Sequence, residues 1–514
     1  MSDQAGESVL VVGAGIAGLC TALALGPTGR QVTLVERDGP PPSGDADEAF
    51  KDWNRRGVGH LRQSHAFLAR LRSLIKAEHP ALLQDLLDAG CREIGFSDML
   101  SDTLRKDYAP KSGDADMAVL TSRRTTLELV MRRYVERQPN VRIVSDFWVQ
   151  RLLTQRGEDG ALRVRGVVGE EAGGEAAGVE RELLADMVVD AGGRTSGAVE
   201  QLAAEGAAVG EASETAGILY FTRHYRLLPG QSEPTRGKLP GTGDLGFLKF
   251  GVFPADNGCF SITVCVPEIE MEMRKAVVRP EIFDQILGLL PGMARWVDPA
   301  RAEPVSRVFG MGDLHSRWRD FAPDGKPAAL GFFAVGDSLV RTNPLYGRGC
   351  SFAAVEAYVL RDALAGQRDP AARALAYAAG VETSLRPYYL NMLTQDRSAI
   401  RRARHALTPG YRPRLSSKVL RSFFEDGVAV AMRSEVGLLR EALRGFHMLE
   451  HPEAWLKRPA NLLKILSYWA RGKKANAAAY PPKVGPDREA MFTALGLSPQ
   501  LDIDRLAETA ASGA

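Results

Sequence analysis

The beginning of the chain alternates between short apolar runs and small or polar residues. Residues 9–12 are apolar and mostly β-branched, which is typical of a buried parallel strand. Ile16–Leu25 is a longer apolar run that Gly26 and Pro27 end, and this pattern predicts a helix. Gln31–Val35 has strand character again. The pattern therefore predicts a strand–helix–strand unit at the N-terminal end of an α/β sheet.

Three glycines occupy the turn between the first predicted strand and helix. Gly13, Gly15 and Gly18 form G-x-G-x-x-G, in which the first allows a tight turn, the second a close pyrophosphate and the third close helix packing. Glu36, followed by Arg37, ends the second strand, where an acid can hold a ribose hydroxyl. A transmembrane or signal segment is the alternative, but the glycines and the polar second strand argue against it.

Two basic segments follow, and each has two interpretations. Residues 55–65 contain arginines, histidines and Gln63, which could reach phosphates or could be the solvated start of a helix that runs to about residue 77. Residues 121–137 have helical spacing, with Arg123 and Arg124 near the first turn. Cations there oppose the helix dipole, so an anionic partner would explain them, and a surface pair is the alternative.

Further strands are predicted at Val141–Val144, 147–155, 161–169 and 182–189. The last run ends in Asp190-Ala191-Gly192-Gly193-Arg194, where the backbone can approach a ligand closely.

The pattern of the sequence changes after this segment. Residues 218–228, 245–254 and 259–266 read as long strands, and residues 255–258 (ADNG) between the last two indicate a hairpin. With a helix near residues 282–290, this predicts a separate antiparallel sheet.

A strand, an acid and a glycine-rich loop recur late in the chain. Residues 328–335 have buried-strand character and precede Gly336 and Asp337. Residues 343–349 (NPLYGRG) then lead into a predicted helix over residues 350–365, whose N-terminus can bind an anion or dipole.

Beyond residue 367 we expect helices. Residues 452–474 mix Trp, Leu and Ile with basic residues, so they could lie on a membrane or pack on the protein, and residues 507–514 should be disordered.

Composition narrows the class of protein. The chain has 514 residues, with 65 Lys and Arg against 63 Asp and Glu, so it carries no field suited to nucleic acid. Its five cysteines are scattered without C-x-x-C, which favours a reducing, cytoplasmic setting and argues against a disulfide framework. The histidines show no metal-site spacing, and we predict no metal site.

Three separated segments together resemble the flavoprotein superfamily of para-hydroxybenzoate hydroxylase type. They are the first glycine motif with Glu36, the 190–194 segment, and Gly336-Asp337 with the 343–349 loop. That superfamily includes aromatic hydroxylases, squalene-epoxidase-like enzymes, geranylgeranyl reductases and flavin halogenases. The resemblance covers residues 9 to about 365 and implies FAD as the cofactor. The chain departs from the halogenases in having no W-x-W-x-I-P segment.

The resemblance assigns roles to residues that match its motifs. Arg124, with Leu127 and Glu128, matches R-x-x-L-E and should reach the FAD linker, and Asp337 should bind the ribityl or pyrophosphate portion. The backbone of residues 344–349 should stabilise negative charge on the reduced ring. No catalytic residue is predicted, and the predicted FAD contacts are Gly13, Ala14, Gly15, Ile16, Ala17, Gly18, Glu36, Arg37, Arg124, Asp190, Gly192, Gly336, Asp337, Pro344, Gly347, Arg348 and Gly349.

The expected fold is an α/β, Rossmann-like FAD-binding domain of glutathione-reductase type, with an inserted antiparallel substrate sheet and a helical C-terminal region. We expect the FAD-binding domain at residues 1–205 and 326–366, the sheet at 206–325 and the helices at 367–514. The resemblance implies a monooxygenase that hydroxylates or epoxidises a lipophilic or polyketide-like molecule through a flavin hydroperoxide. NAD(P)H, directly or through a flavin reductase, and molecular oxygen are the expected co-reactants, and peripheral membrane contact is a further expectation. The alternatives are a reductase of isoprenoid double bonds and a protein with a non-redox flavin.

Overall fold

A five-stranded parallel sheet organises the N-terminal half of the protein. The computed structural model describes residues 6–171, 178–235, 239–408 and 410–499. The first strand, Ser8–Val12, pairs in parallel with two neighbours, and its apolar side chains are buried. This confirms the predicted Rossmann-like arrangement. The strands are, in spatial order, Phe332–Ala334, Met187–Asp190, Ser8–Val12, Gln31–Val35 and Val141–Val144.

Helices cover this sheet, and their apolar faces form the largest core of the protein. The predicted helix Ile16–Leu25 is found with the predicted bounds. The helix expected after residue 65 starts later, at Ala69, because residues 53–68 form a loop that packs into the protein. The helices of this half are Ile16–Leu25, Ala46–Asp52, Ala69–Glu78, Pro80–Asp88, Asp102–Lys106, Arg124–Glu136, Ala198–Ala204 and Gly349–Gly366.

Smaller sheets flank the parallel one. Strands predicted at 147–155 and 161–169 are found and pair antiparallel. The run predicted at 182–189 divides into one strand of this flanking sheet and one strand of the parallel sheet. A turn at residues 185–186 separates them, so the expectation of one continuous strand is wrong. These flanking strands are Phe147–Arg156, Leu162–Glu171, Glu180–Leu184, and the short pair Arg92–Ile94 and Val119–Thr121.

The predicted antiparallel sheet is present and has its own core. Ile218–Leu227 pairs with Cys259–Pro267 over nine residues, and the latter is buried along its whole length. The predicted hairpin at residues 255–258 is confirmed, since Asn257 and Gly258 both have positive φ. The run predicted at 245–254 is shorter, Lys249–Pro254, and follows a separate strand. The sheet order is Thr242–Asp244, Lys249–Pro254, Cys259–Pro267, Ile218–Leu227 and Ala302–Pro304, with Phe309–Met311 also paired to Ile218–Leu227.

Three helices lie near the antiparallel sheet. A further small sheet connects the part of the protein that contains the parallel sheet with the part that contains the antiparallel sheet. The helices are Met271–Ala276, Pro280–Gly288 and Pro291–Ala294, of which the second matches the helix predicted near residues 282–290. The small sheet joins Gly210–Thr215, His315–Asp320 and Val340–Arg341. Its last strand directly precedes the 343–349 loop. The loop is therefore anchored next to the antiparallel sheet.

Beyond residue 367 the described chain is helical, as expected. Part of helix Pro459–Ala475 packs through the buried Ile465, but Leu463 is 69% exposed, so membrane contact stays a prediction. No helix among the described residues is long and apolar enough to cross a membrane. The expected disorder of residues 507–514 lies outside the described residues. The helices are Pro370–Leu407, Leu415–Ser422, Ala429–Ser434, Val436–Phe446, Ala454–Lys457, Pro459–Ala475 and Arg488–Ala494, with a π-helical segment Phe423–Val428.

Candidate functional site

The three segments that the sequence singles out meet at one edge of the parallel sheet. Ser8–Val12, Met187–Asp190 and Phe332–Ala334 are adjacent and parallel, so their carboxyl ends point the same way. Ligands bind at this edge in open α/β sheets. A single cavity of about 1200 Å³ lies there and extends to the antiparallel sheet. We call the part formed by Gly13, Gly15, Gly192, Gly336 and Gly347 the glycine wall.

The glycines of the first motif serve two purposes. A Cβ atom on Gly13 would lie 2.6 Å from the Ala191 carbonyl oxygen, and one on Gly18 would lie 1.9 Å from the Gly13 carbonyl oxygen. These two glycines therefore allow backbone to pack on backbone. A Cβ on Gly15 would meet only the Glu128 carboxylate, at 3.9 Å. Gly15 thus borders open cavity, as a close ligand requires.

Two helices begin at the cavity without a capping side chain. Ile16–Leu25 follows Gly15, and Gly349–Gly366 follows Arg348, and neither preceding residue caps its helix through a side chain. The first-turn N–H groups have no partner within the helix. Both helix N-termini therefore direct donors and a positive dipole end toward the cavity. This arrangement suits an anionic ligand that spans both helices.

A chain of buried ion pairs stands behind the glycine wall. Arg55 donates to Glu36 at 2.8 Å and to Glu128 at 3.1 Å, and Arg124 donates to Glu128 at 2.7 Å. Glu128 is fully buried. Burial alone would raise its pKa, but Arg124 and Arg55 outweigh burial and hold the pKa below its ordinary value. The solvated interpretation of Arg55 is therefore wrong, because its guanidinium is enclosed in this network.

Glu36 is held by the backbone as well as by Arg55. Its Oε2 atom accepts the Ala14 N–H at 2.8 Å, and its Oε1 atom accepts the Asp38 N–H at 3.0 Å. The side chain still lines the cavity, as does the neighbouring Arg37. The carboxylate therefore fixes the glycine turn, and a ribose contact would be an additional role.

Arg123 and Arg124 face different partners. Arg123 binds the buried Asp256 of the hairpin turn through its backbone N–H at 2.6 Å and its Nε at 3.0 Å. Asp256 is thus the anionic partner that the first turn of this helix calls for, and the surface-pair interpretation is wrong. Arg124, in contrast, lines the cavity.

Two aspartates end strands at the cavity. Asp190 accepts the Gly192 N–H at 2.9 Å and the Ser196 hydroxyl at 2.6 Å, so it shapes the turn that follows its strand. Asp337 is half-buried and lines the cavity, and desolvation raises its pKa against the opposing effect of Arg341 and Arg124. A carboxyl that lines a cavity can accept a hydrogen bond from a polyol or, when protonated, donate one.

The 343–349 loop is held from behind by the long helix Pro370–Leu407. Asp396 accepts the Asn343 amide at 2.9 Å and the Tyr346 hydroxyl at 2.8 Å. Burial raises the pKa of Asp396 to about 6. Gly347 has φ +63, a conformation that favours glycine. Asp396 thus holds the loop that forms this edge of the cavity.

Most of the predicted contacts reach the cavity, and three do not. Arg348 turns away and donates to the Tyr388 carbonyl oxygen at 2.8 Å, so its side chain supports the loop from outside. Ala14 and Gly18 lie beneath the glycine wall. The predicted residues that line the cavity are Gly13, Gly15, Ile16, Ala17, Glu36, Arg37, Arg124, Asp190, Gly192, Gly336, Asp337, Pro344, Gly347 and Gly349.

The sequence indicated that residues 55–65 could reach phosphates, but His60 and His65 were not among the predicted FAD contacts. His60 and His65 line the cavity, and burial lowers the pKa of His65 to about 3, with Arg124 acting in the same direction. Burial also lowers the pKa of His60 well below its ordinary value, so both rings are neutral at pH 7. Ser64 accepts the Thr263 hydroxyl at 2.7 Å, which connects this loop to the antiparallel sheet. The dense run of polar residues at 60–65 was the available signal.

The cavity continues beyond the glycine wall into largely apolar surroundings. Phe250, Phe253 and Leu314 come from the antiparallel sheet and the segment after it. The helical region contributes Arg433, Leu443, Phe446 and His447, which we call the C-terminal wall. These residues do not belong to a local sequence motif. They reach the cavity through tertiary packing alone.

The comparisons identify the class of protein to which this fold and site belong. Residues 8–329 match the family model described as DAO, FAD dependent oxidoreductase, and the chain belongs to that family. Protein Rv3254 of Mycobacterium tuberculosis is 28% identical over 380 residues, which cover 70% of this chain and 73% of that protein. The flavoprotein resemblance is thereby confirmed.

Solved structures share the fold at low identity. The flavin-dependent brominase Bmp2 is 17% identical, with a TM-score of 0.57 over 91% of this chain and 99% of that chain. PqsL of Pseudomonas aeruginosa, described as a probable FAD-dependent monooxygenase, is 18% identical, with a TM-score of 0.53 over 77% of this chain and 97% of that chain. These likenesses show a common architecture.

The residues present fit FAD. Eight basic and four acidic side chains line the cavity, an excess that suits a pyrophosphate. Gly15 leaves the space that a phosphate needs, and two uncapped helix N-termini supply backbone donors. Ligand sites usually measure about 300–1,000 Å³, so a cavity of about 1200 Å³ has room for more than one small molecule.

Proposed function

We propose that this protein is an FAD-dependent monooxygenase that hydroxylates or epoxidises a lipophilic or polyketide-like small molecule. One observation carries the proposal. The glycine wall and apolar residues of the antiparallel sheet border the same cavity. A cofactor on the first surface would therefore meet a substrate on the second. FAD, when bound, would supply the electron transfer and the activation of oxygen.

The residues of the glycine wall would hold and orient the cofactor. The N–H groups after Gly15 would bind the pyrophosphate, with Arg124 adding positive charge. Asp337 would bind a hydroxyl of the ribityl chain. The N-terminus of helix Gly349–Gly366 would stabilise negative charge that develops at the edge of the 343–349 loop.

The sheet side would select and orient the substrate. Phe250, Phe253, Met311 and Leu314 give this part of the cavity an apolar lining. Such a lining excludes water and favours a lipophilic molecule. NAD(P)H is the expected source of electrons, used directly or through a flavin reductase. A second G-x-G-x-x-G occurs at residues 241–246, but it spans the short strand Thr242–Asp244 of the antiparallel sheet and not a turn between a strand and a helix. It therefore lacks the context of a dinucleotide site, which agrees with either route.

One observation favours a second candidate, a reductase of isoprenoid-type double bonds. Tyr220 and Cys350 both line the cavity. Burial raises the pKa of Cys350 to about 11 and raises the pKa of Tyr220 well above its ordinary value. Both groups are protonated at pH 7, so either could donate the proton that completes hydride addition to a double bond. Halogenation is not proposed, because the chain has no W-x-W-x-I-P segment.

Oxygen labelling separates these functions. The FAD-loaded protein would be incubated with NADPH, a flavin reductase and a panel of polycyclic and isoprenoid compounds, under ¹⁸O₂ and in parallel without oxygen. We expect a product that contains one labelled oxygen atom and forms only with oxygen. A product with two added hydrogens and no label, formed anaerobically, would establish the reductase. Conversion without any reductant would establish a non-redox flavin protein.

A further inference from the structure

The side chain of His447 is buried and has no hydrogen-bond partner among the described residues. His447 follows helix Val436–Phe446 directly, lines the cavity and is 2% exposed. Neither ring nitrogen has a hydrogen-bond partner among the residues that the structure describes. Other buried histidines differ: the rings of His79 and His224 each lie 3.0 Å from a backbone carbonyl oxygen.

An unsatisfied imidazole needs a physical explanation. A buried polar group without a partner costs about 1–3 kcal/mol, and native proteins keep few such groups. Burial lowers the pKa of His447 to about 4, so the ring is neutral at pH 7. A neutral imidazole offers one N–H donor and one acceptor nitrogen. The missing partner is therefore a group that can accept or donate a hydrogen bond, and an apolar, desolvated site favours an uncharged one.

The surroundings indicate what carries that group. Leu443 lies one helical turn before His447 and lines the same cavity, as does Phe446. Phe250 and Val484, from the antiparallel sheet and the C-terminal segment, add further apolar surface. A polar anchor in an apolar lining is the usual arrangement for fixing the orientation of a lipophilic ligand.

We propose that His447 is a substrate-binding residue that exchanges a hydrogen bond with a neutral hydroxyl or keto oxygen of the lipophilic substrate. The proposal rests on the proposed function only in placing the substrate in this cavity. His447 orients the molecule from the C-terminal wall, while the cofactor occupies the glycine wall. The substrate class is thereby narrowed to lipophilic molecules that carry at least one uncharged oxygen function.

Equilibrium dialysis of the FAD-loaded protein tests this without turnover. The probes are 4-phenylphenol and biphenyl, which differ by one hydroxyl group. We expect the unmodified protein to bind the phenol about ten-fold more tightly, the effect of one hydrogen bond. His447→Phe should bind both probes equally. His447→Gln, which keeps a donor and an acceptor, should retain a preference for the phenol.

The control is His451→Phe, the same change at an exposed histidine four residues later, and it should keep the full preference. Equal binding of both probes by the unmodified protein would overturn the proposal. So would a preference that survives His447→Phe, or no saturable binding of either probe. Because the measurement uses neither reductant nor oxygen, its result does not depend on whether the reaction is a monooxygenation.

Discussion

The glycine wall and the C-terminal wall border one cavity but are built on opposite principles. Behind the glycine wall, the buried charges Glu36, Arg55, Glu128 and Arg124 are paired with one another. In the C-terminal wall, His447 is buried with neither nitrogen bonded within the described chain. The charged side chains at the first surface are paired with one another before a ligand arrives. At the second surface a polar side chain has no partner within the described chain.

This difference matches the two kinds of ligand that we propose. A cofactor with an invariant pyrophosphate can be met by preorganised backbone donors and fixed charges. A substrate is recognised by a few polar groups in an apolar lining. The two walls therefore predict opposite consequences of mutation: loss of cofactor or stability at the glycine wall, and loss of selectivity without loss of stability at the C-terminal wall.

The largest effect is expected for Gly15→Val. The added side chain would project into the space in front of the helix N-terminus, where we propose that the pyrophosphate binds, and FAD retention should be abolished. The flavin-to-protein absorbance ratio of the purified protein measures this. Gly288→Val is a matched control, since a Cβ on this exposed glycine meets nothing within 4 Å. Full flavin content in Gly15→Val would mean that the cofactor does not lie on this wall.

The next effect is expected for Glu128→Gln. The change leaves Arg124 buried without its anionic partner, and breaking a buried ion pair costs about 3–5 kcal/mol. Because the pKa of Glu128 is held below its ordinary value, its stabilisation is present above about pH 4.3 and is lost as pH falls further. Chemical denaturation at pH 7 and pH 4 measures both effects.

Glu136→Gln provides the comparison on the same helix. Glu136 pairs with Arg132, but its side chain is 41% exposed. Exposed pairs contribute about 0–1 kcal/mol, so this variant should unfold almost as the unmodified protein does. Equal losses in both variants would show that the buried pairs have no special role.

The third prediction concerns Asp396, which holds the 343–349 loop. Its pKa is raised to about 6, so between about pH 3.9 and that value the folded state binds a proton that the unfolded state has lost. Stability therefore falls as pH rises through this window. Asp396→Asn removes the charge and keeps an acceptor for Asn343 and Tyr346. Its stability relative to the unmodified protein should improve by about 2–3 kcal/mol between pH 4 and pH 7.

The stability of a control variant is measured over the same pH range. Asp298→Asn is the matched control, because it makes the same change in a surface turn, where Asp298 accepts the Ala300 N–H at 2.9 Å. A pH dependence of the stability difference for Asp396→Asn that is no larger than that of the control would contradict the raised pKa of Asp396.

The two walls also differ in how far the sequence predicts them. The glycine wall depends on backbone conformation at fixed spacing, so Gly13, Gly15 and the bounds of helix Ile16–Leu25 could be predicted from local pattern. The same pattern could not show that Arg348 turns toward Tyr388, since that contact joins helices about forty residues apart. The sequence likewise could not show that Arg55 is paired, because only the burial of its side chain decides between a solvated and a paired arginine.

The C-terminal wall could not be predicted at all. Leu443 and His447 stand in an ordinary amphipathic segment, and they reach the cavity only because their helix packs on residues 96–117. Another small core, built from residues between 428 and 465, positions the same segment. The contacts with residues 96–117 join segments hundreds of residues apart, and no spacing rule within the chain encodes them.

The smallest effect, and the sharpest contrast with Glu128→Gln, is expected for His447→Phe. Replacing a buried polar group that has no partner by an apolar ring of similar shape removes a desolvation cost. The variant should therefore be as stable as the unmodified protein, or more stable by about 1 kcal/mol, when ligand-free protein is unfolded in denaturant at pH 7. A buried histidine with a hidden structural partner would behave differently, because its loss would destabilise the fold by about 1–3 kcal/mol. His79→Phe supplies that comparison, since the His79 ring lies 3.0 Å from the Leu23 carbonyl oxygen. If both variants lose stability equally, His447 is part of the scaffold and the C-terminal wall is as complete as the glycine wall.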